Sequence, residues 1–357
     1  QMVETRRNLF YAKYPGLIHW KDGRLHSTVN QCEANTRRSS ESAPNKQQLG
    51  KRPGPDGEVP RFRETIVPHH DNAVIVSLDE KSQELRIIAD YSHDTNMVAC
   101  FVGDDQKDMH SLTGLGIAKW RYTDVDWSYE TFVKAYKDDA CPLHMNAVES
   151  RTLGKTTNFS ASYGIMAPKL AERMIVTEAA AQAFLDAREA AFPGEGAWKS
   201  KVVQECKNTG IVRTKCGAVR HLREALNGGS YEASKAERQG PSFMVQSSAA
   251  EQVKLAMGSM WKRGLVFKYD AEFIGAIHDE VVFSVGLPDL QAFLVEAHAA
   301  MTQPYGGMWI AIESSISFGK SFGVGDQTEI GSLPTAEAVA YGISKLRKAS
   351  NGPQVSA

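Results

Sequence analysis

Phe273-Ile274-Gly275-Ala276-Ile277-His278-Asp279-Glu280-Val281-Val282-Phe283-Ser284-Val285 sets apolar runs rich in β-branched and aromatic residues on either side of a short polar stretch. The pattern predicts two strands around a tight turn, with His278, Asp279 and Glu280 at a hairpin tip. A second pair of apolar runs, Ala73 to Leu78 and Leu85 to Ala89, flanks Asp79, Glu80, Lys81 and Ser82. It predicts another hairpin, whose second strand delivers Asp90 at its end. Hard oxygen ligands at two strand ends, Asp90 and Asp279, can hold Mg²⁺ ions across one substrate phosphate. A lone aspartate at a turn is more often an Asx-turn or a cap, so the pair alone does not decide the chemistry.

Working outward, the period changes. From about Arg151 to Ala191 apolar residues recur at three- and four-residue spacing, which predicts helices that stop at Phe192, Pro193 and Gly194. Arg151, Lys155, Phe159 and Tyr163 follow one another at four-residue steps. On a helix each step advances about 400°, so the four lie on one slowly drifting stripe about 18 Å long. That order suits a nucleoside triphosphate laid along the helix, with Arg151 and Lys155 on the phosphates, Phe159 near the sugar and Tyr163 near the base. The same spacing also describes an amphipathic helix whose basic residues are merely solvated, and spacing does not separate the two. Further helical pattern covers Gln246 to Arg263 and Leu287 to Thr302, a short strand follows from Ile310 to Ile316, and the end from Gly331 reads as a peripheral helix and tail. Gly23 to Gly57 is polar and irregular, the pattern of a loop.

Composition bounds these readings. With 357 residues and 42% hydrophobic content the chain can bury a large core in roughly two domains. Its 41 basic and 42 acidic side chains leave a formal charge of -1, so any phosphate-binding surface is local. Cys32, Cys100, Cys141, Cys206 and Cys216 form no CxxC pair and read as reduced, mostly buried thiols. Neither a run of eighteen apolar residues nor a charged-then-apolar leader is present, so the expectation is a soluble cytoplasmic protein without a membrane partner.

Taken together and in order, the motifs resemble those of the family A DNA polymerases, of which bacterial DNA polymerase I is a member. The resemblance runs to about Gln327. Gly23-Arg24-Leu25-His26 leading to Gln31, then Thr36-Arg37-Arg38-Ser39-Ser40 and Pro44-Asn45-Lys46-Gln47, is similar to the family's primer-and-template grip. Asp90-Tyr91-Ser92 is matched to motif A, Asp108-Met109-His110 to the Asp-Ile-His helix start, and Arg151, Lys155, Phe159, Tyr163 and Gly164 to motif B. Ala236-Glu237-Arg238 with Gln246 is matched to the template-contacting helix, and His278-Asp279-Glu280 to motif C.

The resemblance implies an α+β right-hand polymerase fold, an antiparallel palm with helical fingers and little thumb. Its divisions are palm over 1–110, fingers over 111–235, palm again over 236–330 and a tail over 331–357. It implies a template-directed DNA polymerase that adds dNTPs to a primer 3′-hydroxyl with two Mg²⁺ ions. Asp90 and Asp279 would bind both ions, with the Tyr91 carbonyl helping and Glu280 close by. His110, Arg151 and Lys155 would hold the triphosphate, with Lys155 protonating the leaving pyrophosphate, while Phe159 and Tyr163 frame the nucleoside. Arg38, Asn45, Gln47, Gly164, Arg238, Gln246 and His278 would touch the primer-template DNA.

One departure stands out. The family's motif A, Asp-Tyr-Ser-Gln-Ile-Glu, reads here Asp90-Tyr91-Ser92-His93-Asp94-Thr95, which puts Thr95 against the sugar in place of the gating glutamate. The approach through His69-His70 and the insert from Gly114 to Glu149 resemble the phage branches more than the bacterial enzyme. Fewer than thirty residues precede the grip motif, so thumb and exonuclease are expected either on a separate partner chain or cut away from this one. Two rivals remain open at this stage. A single-subunit RNA polymerase fits the missing glutamate but not the grip motif, and a catalytically dead nucleic-acid-binding subunit does not account for the retained motif B side chains.

Overall fold

The computed structural model describes residues 12–49, 61–162 and 164–350. Its backbone forms two compact units, one made of 1–83, 249–305 and 311–357, the other of 84–248 and 306–310.

The first unit is built on a sheet. In chain order the strands are β1 (Thr28–Asn30), β2 (Ser40–Ser42), β3 (Ala73–Lys81), β4 (Ile211–Arg213), β5 (Val219–His221), β6 (Ala271–Ile277), β7 (Glu280–Gly286), β8 (Glu313–Gly319) and β9 (Gln327–Gly331), of which the short β4–β5 pair lies in the second unit. The five-stranded sheet has the order β6-β7-β3-β8-β9, and every pairing in it is antiparallel. Alternation along β3 sends Val74, Val76 and Leu78 into a core with Phe283, Phe293, Ile316 and Phe318, while Ile75 packs on the other face with Val282 and Phe322. Helix Leu290–Thr302 and the end of the long helix Tyr231–Lys262 contribute Leu294, Val253 and Met260 to the larger core. The antiparallel α+β architecture expected from the sequence is the one present.

Helices make up the second unit: Met109–Arg121, Tyr129–Lys137, His144–Ser162, Ala167–Met174, Glu178–Ala191 and Pro193–Thr209. Two of them meet through glycines. A Cβ on Gly154 would lie 2.8 Å from Gly114 N and from His110 O, and one on Gly114 would lie 2.9 Å from Arg151 Cα. Helices Met109–Arg121 and His144–Ser162 therefore approach to backbone contact, which only these side-chain-free positions permit. Pro193 opens a helix rather than ending the region, as its fixed φ allows at a first turn.

The largest difference from expectation lies just after β3. Leu85 to Ala89 belong to an α-helix, Gln83–Ser92, entered through Ser82 at φ 51. Leu85 through Asp90 are all buried, the charged Arg86 and Asp90 included, so exposure does not mark out a helical face there. A short, wholly buried apolar run cannot be assigned to strand or helix by periodicity. The cysteines also differ: Cys100 and Cys206 are buried, Cys141 is half-buried, and Cys32 and Cys216 are exposed. Among the described residues no helix is long and apolar enough to cross a membrane.

Candidate active site

The β6–β7 hairpin closes with Ile277 paired to Glu280, leaving His278 and Asp279 as a two-residue turn, His278 at φ 61. A left-handed first turn residue is what a tight hairpin linking right-twisted strands requires. On the far side of β7, Asp79 of β3 stands opposite Glu280, and the Glu80 N–H donates to the Asp279 carbonyl at 3.2 Å. Directly opposed residues share a sheet face, so Ser77, Asp79 and Glu280 lie on one face and Glu80 on the other.

Glu280 is held from both sides. The Ser77 hydroxyl donates to one of its carboxylate oxygens, and the Arg63 guanidinium sits 3.6 Å from the other. Arg63 is 4% exposed, donates to the Leu49 carbonyl at 2.9 Å and lies 4.2 Å over the Phe322 ring. Burial, and then the neighbouring Asp279 and Asp79 carboxylates, push the Glu80 acid well above the usual carboxylate range. Four carboxyl groups, Asp79, Glu80, Asp279 and Glu280, thus converge on one end of β3 and β7 with Arg63 as a buried counter-charge. Crowded hard oxygens whose charges disfavour one another are a donor set suited to a divalent cation.

Asp90 requires a correction. It sits within a helix, not at a strand end, and is 0% exposed. Its carboxylate pairs with Lys215, from the β4–β5 turn, and accepts the backbone N–H groups of Trp309 at 2.8 Å and Ile310 at 3.1 Å. Tyr91, expected to lend its carbonyl to a metal, stacks on Trp198 at 5.6 Å and hydrogen-bonds Ser248 through its hydroxyl at 2.9 Å. This is a carboxylate whose charge the protein already neutralises. Thr95 is exposed at the start of the short helix Thr95–Val98, which Asp94 caps through Met97 N at 2.9 Å.

In the helical unit the expected residues do assemble. Asp108 caps helix Met109–Arg121 by accepting the Ser111 N–H at 2.9 Å and grips Arg151 through 2.7 and 3.2 Å bonds. Burial pushes the Asp108 acid up, but the Arg151 and Ser111 hydrogen bonds outweigh it and hold it below the usual range. His110 accepts from Asn158 Nδ2 at 3.2 Å and lies 5.6 Å from the Phe159 ring. Burial drives the His110 imidazole down to about 4, with Arg151 and Lys155 adding to the shift against Asp108. Its neutral ring therefore keeps a proton on Nε2 while Nδ1 accepts. Lys155 and Phe159 are exposed on helix His144–Ser162, and Arg151 is half-buried below them. Tyr163 lies outside the described residues, and Gly164 follows at φ 70.

Of the DNA-facing expectations, Arg238 is exposed and Gln246 half-buried along the same long helix. Arg38 is half-buried and His278 exposed. Two others have local duties: Asn45 caps the turn at Lys46–Gln48, and the Gln47 side chain donates to the Ser39 carbonyl at 3.1 Å. Between them, Lys46 reaches the Ile274 carbonyl at 3.1 Å and so ties this segment to β6.

Sequence reasoning passed over Asp79, Ser77, Arg63 and Glu84. A signal for two of them was present: Asp79-Glu80-Lys81-Ser82-Gln83-Glu84 carries aspartate first and glutamate sixth, the spacing of Asp-Tyr-Ser-Gln-Ile-Glu. The Asp-Tyr-Ser match at Asp90 lacks that glutamate.

Comparison with known proteins agrees with the sequence resemblance. Residues 2–324 match the model of DNA polymerase family A. The thermostable DNA polymerase I of Thermus thermophilus is 28% identical over 316 residues, covering 88% of this chain and 34% of that protein. DNA polymerase I of Treponema pallidum is 26% identical over 261 residues, 73% of this chain and 24% of its own length. The chain thus spans about a third of the length of the first of these relatives. Among solved structures, the POL domain of Pol1 from M. smegmatis, in complex with DNA primer-template and dNTP, superimposes with a TM-score of 0.72 at 23% identity, covering 90% of this chain and 52% of that one.

Proposed function

From the premise that the chain belongs to DNA polymerase family A, we propose that it is a polymerase core that copies a DNA template by adding dNTPs to a primer 3′-hydroxyl. The observation that carries this reading is the placement of Asp79 and Asp279 at adjoining ends of β3 and β7, beside a buried Arg63 that steadies Glu280. In that reading Asp79 takes the motif A role first given to Asp90, and Asp279 keeps that of motif C.

Asp79 and Asp279 would hold the divalent ions, two of them and Mg²⁺ by the chemistry of their hard oxygen donors. Such ions lower the pKa of the attacking hydroxyl and neutralise charge on the triphosphate when bound. Glu280 is a supporting anion here, since Ser77 and Arg63 engage its two oxygens. The primer 3′-hydroxyl gives up its proton to solvent as O3′ bonds to the α-phosphorus, the bond to the bridging oxygen breaks, and pyrophosphate departs. Lys155, an exposed ammonium, gives the leaving group a proton, and Arg151 exchanges its Asp108 carboxylate for a phosphate. His110 donates its Nε2 proton to a phosphate oxygen without bringing a charge of its own. Phe159 and Tyr163 frame the nucleoside. Glu84 stands five residues after Asp79 and takes the sugar-gating place assigned above to Thr95. Arg38, Arg238, Gln246 and His278 contact primer-template DNA, the helical unit serves as fingers and the sheet unit as palm.

Primer extension tests this directly. The chain should lengthen a primer only as its template dictates, with dNTPs and a divalent ion, and stop when the ion is chelated. Extension that persists in chelator, or that uses rNTPs in preference, overturns the assignment.

A further inference from the structure

Among the described residues, two groups bring histidine and aspartate ligand atoms within 4.8 Å of one another: His19, Asp22 and His26, and His69, His70 and Asp270. Both belong to the sheet unit, and neither supplies a side chain to the chemistry above, although His26 closes the grip motif Gly23-Arg24-Leu25-His26. Their hydrogen bonds tell them apart.

In the second group His70 Nε2 points at Asp270 at 2.7 Å while its Nδ1 accepts the Asn72 N–H at 3.1 Å. That proton must therefore stay on Nε2, the nitrogen a metal would need. His69 is constrained likewise. Ser284 Oγ accepts the His69 N–H at 3.0 Å and also engages His69 Nδ1 at 2.5 Å, while His69 Nε2 lies 3.0 Å from Asp270, so both ring nitrogens already have protein partners. These residues form a clamp of two imidazoles on one carboxylate.

The first group is built differently. A tight loop, closed by the Ile18–Leu25 bridge and turned at Gly23 with φ 68, brings its ends together. His19 Nδ1 lies 3.3 Å from one Asp22 oxygen and His26 Nε2 lies 2.8 Å from the other. The two rings stand edge to face, 5.4 Å apart. Among the described residues the opposite nitrogens, His19 Nε2 and His26 Nδ1, meet no hydrogen-bond partner, and they sit on side chains 46% and 60% exposed. Each ring can thus move its proton to the water-facing nitrogen and offer a lone pair inward, the tautomer that metal ligation requires. We propose that His19, Asp22 and His26 form a binding site for a zinc-type dication, separate from the acidic end of the sheet.

The dimensions suit that ion. Ligand bonds of about 2.0–2.1 Å in a tetrahedral site place neighbouring ligand atoms about 3.3 Å apart, close to the separations already present across Asp22. Two imidazoles and one carboxylate leave a fourth position to water, and they select zinc-type ions over Mg²⁺, which prefers an all-oxygen shell. A bound ion would also stiffen the loop that carries Arg24, whose guanidinium pairs with Glu272 of β6 at 2.7 and 3.1 Å.

The test uses the full chain in excess Mg²⁺, with Zn²⁺ followed by calorimetry and Co²⁺ as a spectroscopic substitute. The expected result is one Zn²⁺ per chain and a tetrahedral Co²⁺ spectrum without a thiolate band. His26→Gln and Asp22→Asn should each weaken binding at least about tenfold, with metal-free Tm unchanged, whereas His70→Gln leaves it as it was. No binding in excess Mg²⁺ overturns the proposal. So does binding that both loop variants retain, binding lost in His70→Gln, or a thiolate band that moves the ion to an exposed cysteine.

Discussion

Asp79 and Asp90 stand eleven residues apart, and the protein treats their charges in opposite ways. Asp90 is fully buried yet satisfied, with an ammonium and two backbone N–H groups closing around it. Asp79 is half-buried beside Glu80, Asp279 and Glu280, with the Arg63 charge also acting on it, and burial, then the Asp279 and Asp79 carboxylates, raise the Glu80 acid. A carboxylate closed in by an ammonium and two backbone N–H groups contributes to structure, and one that sits in a crowd of carboxylates favours an added cation. The environment separates the two roles where the identity of the residue cannot.

The comparison breaks most readily through rates. Asp79→Asn or Asp279→Asn should lower single-turnover extension about a thousandfold or more, with DNA affinity little changed, because several kcal/mol of transition-state stabilisation is removed. Asp90→Asn should instead destabilise the fold by about 3 kcal/mol, the cost of leaving a buried partner unpaired. Denaturant melts and rates on the same three variants decide the matter. A collapse in rate for Asp90→Asn at undiminished stability would return motif A to that helix.

A double-mutant cycle sharpens the structural half. Lys215→Met alone strands the Asp90 carboxylate, and Asp90→Asn alone strands the ammonium. The two changes together should be more stable than the sum of the single losses predicts, with coupling of roughly 1–3 kcal/mol. Additive losses would mean that the pair is not a unit.

Sugar choice sharpens the other half. If Asp79 begins motif A, then Glu84→Ala should relax rejection of rNTPs, by about a hundredfold in the kcat/KM ratio, and Thr95→Ala should leave the ratio alone. The reverse outcome would restore Thr95 to the sugar.

The smallest effect extends the comparison to a base. His110 titrates at about 4 in the fold against an ordinary 6.5, so the folded state resists protonation that the unfolded chain accepts. Its neutral form contributes stability that is complete above 6.5 and is lost as pH falls towards about 4. In melts over that window His110→Gln should flatten the slope by on the order of 1–2 kcal/mol. An unchanged slope would show that other groups carry the acid sensitivity.

The sequence made some of this visible and hid the rest for physical reasons. The β6–β7 hairpin was plain because a two-period apolar pattern breaks sharply at His278-Asp279. Arg151, Lys155 and Phe159 were plain because helical spacing survives on an exposed face. Helix Gln83–Ser92 was hidden, since a short apolar run with Leu85 to Asp90 all buried does not declare its period, and with it went the closeness of Asp79 to Asp279. Motif matching then favoured the better tripeptide, Asp90-Tyr91-Ser92, over the better spacing, Asp79 to Glu84. Strand register, which places Asp79 opposite Glu280, is a long-range fact that no local window contains.

The glycine contact between helices Met109–Arg121 and His144–Ser162 has a consequence in genetics. Gly114 and Gly154 offer no atom to a nucleotide, yet an alanine at either would press its methyl into backbone at 2.8–2.9 Å and force apart the helices that carry His110 and Arg151. A selection for polymerase function would score both glycines as essential, and rank them with the residues that bind substrate. Second-site suppressors should then arise not in the pocket but among the residues that hold those helices together.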